Sequence, residues 1–293
     1  MPLHDKFLAP VFILIGCGIT FAADDAPVPI QLFRAEKVGA LTNGEIVIDR
    51  ATTTITTDPN GVATKKTDVK HWEMAGRVEA LEVAGKGYTT RSLLTLKKLV
   101  DANAAELLPA GTEIEITRGN TVSFDRADKG QIPPAALEGL REIFTPRDPD
   151  RPTEDEVLGT KEPQKPGASW DIHPDALIRA MAKVNVDEKN VSGKSTLKAV
   201  ETRGDAKVLH ILTQYQCTDV TPKEQPPAQV VEPYMVEYEA DIYLPADPAQ
   251  TVVENRIRTH VQMQITTSDG SKIAVDQEAT SKGTYSPVKR GGG

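Results

Sequence analysis

Two stretches near the C-terminus alternate apolar and polar residues at a strict period of two, and they restrict what this chain can fold into. Tyr234, Val236, Tyr238, Ala240, Ile242 and Leu244 are apolar at the even positions, with Glu237, Glu239 and Asp241 between them. From Thr251 to Thr266 the parity reverses: Val253, Ile257, Val261, Met263 and Ile265 are apolar, and Arg256, Arg258 and His260 lie on the other side. Successive side chains of a strand point to opposite faces, so both stretches read as strands with one buried face. Setting Leu244 opposite Thr251 pairs Ile242 with Val253, Tyr238 with Ile257 and Tyr234 with Val261. The same register sets Glu239 against Arg256 and Glu237 against Arg258 on the wet face, each pair contributing about 0.2–1 kcal/mol. Ser268-Asp269-Gly270 then suits a three-residue loop, bringing Ile265 against Ile273 and Met263 against Val275. The expectation is a three-stranded antiparallel meander.

Turn chemistry divides the rest. After a Pro-rich lead, residues 32 to 125 read as strands separated by Asp58-Pro59-Asn60-Gly61, Gly85-Lys86-Gly87 and Gly119-Asn120. Pro133-Pro134 opens a short helix, 135 to 144, with Leu137, Leu140 and Phe144 on one face. Residues 145–167 hold many prolines and charges, too little apolar surface to order cheaply, and read as a linker between a half at 32–144 and a half at 168–287. In the second half 168 to 173 reads as a strand, and 174 to 183 as a helix with Leu177, Ile178 and Met181 inward. Strands resume from 194 to 285. Residues 78–85 and 197–204 share Ala, Glu and Gly at matching places, which is a weak internal repeat. The fold class is α+β, mainly antiparallel β: curved sheets or a half-barrel with a few short covering helices.

The N-terminus reads as an export signal. Met1 to Lys6 is polar with one basic side chain, Phe7 to Ile15 is almost wholly apolar, and small residues follow before Asp24-Asp25. The apolar run is shorter than the ~20 residues a membrane-spanning helix needs, and Pro10 interrupts it. Two cuts are open. Thr20-Phe21-Ala22 suits signal peptidase, giving a signal of 1–22. Leu14-Ile15-Gly16-Cys17 resembles a lipobox, giving a signal of 1–16 and an acylated Cys17. The expected location is extracytoplasmic, in the periplasm or cell envelope, with the protein either soluble or lipid-anchored. Cys17 lies inside the export segment, so a mature chain cut after it keeps Cys217 as its one thiol, and no intramolecular disulfide framework staples the fold. The net charge of −8 argues against a nucleic-acid footprint.

Patterns that carry chemistry elsewhere fall short. Gly193-Lys194-Ser195 ends like a phosphate-binding loop, but the glycine needed five residues earlier is Glu188. Ser195 and Lys198 have S-x-x-K spacing, which works on a helix; on a strand the two oppose each other. His71, His173, His210 and His260 show no ligand spacing, and His260 reads as solvated beside Arg258. Glu237, Glu239 and Asp241 read as neutralised by Arg256 and Arg258 rather than as a calcium site. Cys217 shares an alternating face with Leu209, Ile211 and Tyr215 and reads as a buried, inert thiol. No catalytic, cofactor or metal residues are therefore named.

The order of features resembles an uncharacterised domain family of bacterial exported β-rich proteins. The resemblance rests on Gly76 to Val83 ending in a glycine turn, the Pro133-Pro134 helix, Pro163 to Trp170, and the closing meander from Glu237 to Tyr285. That family implies no activity and no site residues. The overall look is also similar to envelope lipoprotein carriers, in which a curved, incompletely closed sheet holds lipid under helices. The expected function is a non-catalytic envelope protein that binds a lipid or other apolar ligand, with Leu137, Leu140, Phe144, Leu177 and Met181 as the candidate lining. Two alternatives remain: a structural or protein-interaction module, and a hydrolase whose site is invisible in sequence. No oligomeric state follows from the sequence.

Overall fold

The computed structural model describes residues 26–181, 183–204, 206–224, 229–248, 250 and 254–288. Both signal-cut alternatives and Cys17 lie outside the described residues. The first half contributes β1 (Leu41–Thr57), β2 (Ala63–Ala84), β3 (Tyr88–Asp101), β4 (Glu113–Arg118), β5 (Val122–Arg126) and helix α1 (Pro134–Ile143). Then come α2 (Glu154–Leu158), β6 (Ser169–Asp171), α3 (Pro174–Ala180), β7 (Val184–Asn185), β8 (Val191–Arg203) and β9 (Ala206–Pro222). The chain closes with β10 (Gln229–Val231), β11 (Tyr234–Pro245), β12 (Glu254–Thr267) and β13 (Lys272–Pro287).

The strands form one open, curved antiparallel sheet in the order β5-β4-β3-β2-β1-β13-β12-β11-β9-β8-β6, with β10 against β12 and β7 against β9. The two halves meet where β1 pairs along its length with β13, from Thr42 opposite Pro287 to Thr57 opposite Lys272. The expected turns are found. Asp58 to Gly61 lies between β1 and β2, Gly85 (φ 56°) and Gly87 (φ 106°) join β2 to β3, and Gly270 (φ 85°) joins β12 to β13. The repeat-like segments fall in matching hairpins, β2–β3 and β8–β9, each with a shift of register near its tip.

The meander is present, with β11 and β12 slipped by two residues. Ile265 faces Ile273 and Met263 faces Val275 as expected. Between β11 and β12, however, Glu239 faces Arg258, Asp241 faces Arg256 and Glu237 faces His260, while Ile242 faces Asn255. A two-residue slip keeps every side chain on its face, so hydrophobic patterning alone cannot distinguish the registers. The observed one matches three acidic residues to three basic ones where the expected one matches two.

Residues 145–167 run between the two halves, but part of this segment is ordered. Thr153 caps α2: its side chain accepts from the Glu156 N–H, while the Glu156 carboxylate accepts from the Thr153 N–H. Val157 and Leu158 are buried in the second core. A full capping box and two buried aliphatics offset the ordering cost that the composition implied. The lead is ordered as well: the Leu32 N–H donates to the Asp155 carboxylate (2.5 Å), Arg34 donates to the Pro245 carbonyl (2.7 Å), and the Glu36 N–H donates to the Gly87 carbonyl (2.9 Å). This strap touches both halves.

Two separate cores sit on the inner face of the sheet. One places α1 over β2, β3 and β4, with Met74, Leu94, Leu96, Leu99, Ile114, Ile116, Leu140 and Phe144 buried. The other places α2 and α3 over β8, β9 and β11, with Val157, Leu158, Leu177, Leu197, Ile211, Cys217 and Leu244 buried.

Candidate functional site

The five residues proposed to line a cavity do not converge. Leu140 and Phe144 are buried in the first core, Leu177 in the second, and Met181 packs at the second core's margin, its sulfur 4.0 Å from Cys217 Sγ. Leu137 is half-buried and belongs to neither core. These side chains fill cores under different helices; they do not frame one space. Helical periodicity finds the inward face of each helix but not which strands it covers.

Between the two cores lies a strip of inner face with no helix above it among the described residues. Ile257, Val261, Met263 and Ile265 of β12 and Ile273 and Val275 of β13 share the inward face of Ala240 and Ile211, through the registers of β9, β11, β12 and β13. All six are half-buried, and none belongs to either core. The strip continues onto β1 as Thr52, Thr54 and Thr56. One flank is charged: Arg50 donates to Glu142 of α1 (2.5 Å), Lys70 pairs with Glu138, and both cations lie over the Trp72 ring. The other flank is aromatic, with the Tyr215 and Tyr238 rings stacked at 4.6 Å. Burial raises the phenol of Tyr238 to about 12 and that of Tyr215 further. The apolar residues themselves were legible in the alternation. Their lack of a cover was not, because it depends on where α1, α2 and α3 settle.

The outer face is a polar lattice. His260 bonds Glu237 on β11 and Asp276 on β13, each at 2.9 Å, and so links three strands. The Glu237 bond, followed by the Asp276 bond, holds the imidazole pKa above its ordinary value against the opposing effect of burial. His71 is raised in the same way, first by Asp49 at 2.7 Å and also by Glu73. His210 bonds Asp241 at 2.5 Å and stacks on Tyr243. Arg258 bonds Glu278 (2.8 Å), and Gln214 donates to Glu239 (2.7 Å). The acidic stripe is therefore hydrogen-bonded by His260, Gln214 and His210 rather than paired with Arg256 and Arg258, and Arg258 is directed at Glu278 on β13. Two shallow open cavities of about 310 and 580 Å³ lie on this side and share Glu239 and Arg258.

The remaining sequence candidates have structural places. Ser195 is fully buried and bonds Thr213 (2.9 Å) and the Leu158 carbonyl (3.1 Å), while Lys198 lines the larger outer cavity. His173 meets the Gly159 carbonyl (3.2 Å). Burial pushes the Cys217 thiol up to about 11, which makes it a poor nucleophile. None of the four histidines bonds a hydroxyl or thiol among the described residues. The described residues hold no group of three or more His, Cys, Asp or Glu that could take a metal ion, and no helix long and apolar enough to cross a membrane.

No protein-family model matches the sequence, and no curated protein matches it. Among solved structures, the chain is similar to lipovitellin, in a structure described by its lipid–protein interactions, at 7% identity and a TM-score of 0.37 over 88% of this chain. That match spans about a quarter (26%) of the lipovitellin chain. An outer membrane channel from Pseudomonas putida F1 matches at 9% identity and a TM-score of 0.22, covering 88% of this chain and 100% of the channel. A LolA superfamily protein from Nitrosomonas europaea matches at 8% and 0.15, covering 80% and 84%. Likenesses this low assign neither a class nor an activity.

Proposed function

We propose that this protein is a non-catalytic, extracytoplasmic binding protein that holds an acyl chain on the uncovered strip of its inner face. One observation carries the reading: six inward-facing aliphatic and Met side chains on β12 and β13 belong to neither core. Leaving such side chains facing water forgoes about 25 cal/mol for every Å² of apolar surface they could bury, and an occupant recovers it. The shape of the strip favours a chain over a globular partner. It is three strands wide, on the order of 10 Å at ~4.8 Å spacing, and its inward residues from Ile257 to Ile265, apolar except for Thr259, span about 27 Å at ~3.4 Å per residue. That length exceeds the ~15 Å half-thickness of a bilayer's hydrocarbon core. The location rests on the N-terminal signal pattern alone.

Titration with the neutral fluorophore N-phenylnaphthylamine tests the reading. The protein should bind it saturably, and Met263→Lys with Val275→Lys should abolish that binding without unfolding the sheet. Binding unchanged in the double variant would place the ligand elsewhere. Native mass spectrometry of protein purified from its own envelope would show whether an acyl chain travels with it.

One observation favours a second reading, as an interaction module. β2 pairs with β3 only from Trp72 onward, so Ala63 to His71 has no strand on that side among the described residues. Val62 and Val69 are 63% and 68% exposed nearby. Lys65, Lys66 and Lys70 along the same edge are the usual deterrents to strand addition, and this reading is the weaker one.

A further inference from the structure

A pair of arginines at the turn end of the inner face has no acid bound to it among the described residues. Arg118 ends β4 and Arg147 follows α1; the Arg147 N–H donates to the Gly119 carbonyl (2.9 Å), which brings the two residues to the same corner. Each guanidinium lies over an aromatic ring, Arg118 over Phe144 at 5.7 Å and Arg147 over Tyr88 at 5.3 Å. Among the described residues, neither has a carboxylate within salt-bridge distance, whereas Arg50, Arg126 and Arg179 each do. Arg118 Nε is buried without a hydrogen-bond partner. So is Ser92 Oγ, opposite Ile116 and therefore on the face that Arg118 shares.

Burial, and then the charge of Arg147, press the Arg118 guanidinium down to about 10. Glu36 opposes this from a distance, its carboxylate already accepting from Thr89. A desolvated cation beside a like charge is costly, and proteins normally satisfy it with an anion. Tyr285 links the corner to the strip. It interacts electrostatically with both arginines, and its ring lies over Gly44 and Gly283. From there the inward positions of β13 run Gly283, Ser281 and Ala279, which are small, then the polar Gln277, then the apolar Val275 and Ile273.

We propose that the ligand is an anionic amphipath, its carboxylate or phosphate seated between Arg118 and Arg147 beside Tyr285 and its acyl chain laid down β13 and β12. This rests on the acyl-chain reading of the strip and adds the headgroup class. Planar guanidinium forks match both anions, and stacking on Phe144 and Tyr88 orients the forks in advance. Tyr285 can donate its phenol proton to the same oxygen.

The test compares dansyl-undecanoate, lysophosphatidic acid, N-phenylnaphthylamine and inorganic phosphate on the full mature chain, its Arg118→Gln/Arg147→Gln variant and its Arg118→Lys variant. The wild type should bind both acyl anions, and the double glutamine variant should lose them by about tenfold or more while holding N-phenylnaphthylamine unchanged. Arg118→Lys, which keeps the charge and the packed stem, should bind at an intermediate level and melt near the wild type. Equal loss of the neutral probe would show a merely structural role and overturn the proposal. Unchanged acyl-anion binding in the double variant overturns it too. Phosphate binding as tightly as lysophosphatidic acid would make this a free-anion site and also overturn it. If the neutral probe binds and the anions bind no better, the strip stands and the headgroup site falls; if nothing acylated binds, both fall.

Discussion

Gly139 sits on the buried side of α1, where an added β-carbon would come 2.7 Å from Trp72 Cδ1. The indole cannot easily yield, because Arg50 and Lys70 are both held over its ring by acids of the same helix. Replacing a helical glycine with alanine ordinarily gains about 1 kcal/mol, whereas overpacking a filled core costs about 1–3 kcal/mol. Gly139→Ala should therefore destabilise the protein, read as a lower urea midpoint; a rise would mean that α1 is free to shift. His71 and His260 make a prediction of opposite character. Bonds to carboxylates raise both above the ordinary 6.5, so their contribution is complete below that value and is lost as pH rises through the higher folded values. Around His260 the facing acids are Glu237, Asp276 and Glu278, and Arg258 stands on the same strand. Both imidazoles are partly exposed, so each contributes on the order of 0.5 kcal/mol. Urea midpoints should fall as the pH rises above about 6.5, and His71→Gln with His260→Gln should flatten that slope.

The five-residue α2 is too short to stand by propensity alone; its capping box and its bond to the strap hold it. Thr153→Ala should cost about 1 kcal/mol and speed hydrogen exchange at the Leu32 amide, which Asp155 holds. Unchanged exchange at Leu32 would mean that the strap is secured independently of the helix. At this scale much was legible beforehand. Leading prolines and three-and-four spacing located α1 and α3, glycine turns located the hairpins, and alternation located β11, β12 and β13. The register of β11 on β12 was not legible, because a slip of two residues preserves both faces. Nor was α2, whose stabilisation comes from a cap and from contacts with the distant Ile30 and Leu32. The candidate site was half legible: its residues were recognised as an inward apolar face, but a sequence shows neither where three short helices stop covering a sheet nor that Arg118 and Arg147 meet at one corner.

Each half of the whole molecule carries one of the two tryptophans, Trp72 under α1 and Trp170 in the second core with its indole N–H on the Leu158 carbonyl (2.7 Å). The continuous pairing of β1 with β13 and the strap across both halves should make unfolding a single event. Trp72→Phe and Trp170→Phe variants, each reporting on the opposite half, should give coincident denaturation curves; two separated transitions would show that the halves fold alone. The same pairing sets an order of assembly. Among the described residues the first strand's neighbour is β13, so β1 emerges from the ribosome with one edge unsatisfied and stays so until β13 has been made. High contact order of this kind slows folding to the millisecond-to-second range. Until β13 pairs with it, that open edge of β1 is a template on which another chain can add, so slow closure of the sheet exposes the protein to edge-to-edge association.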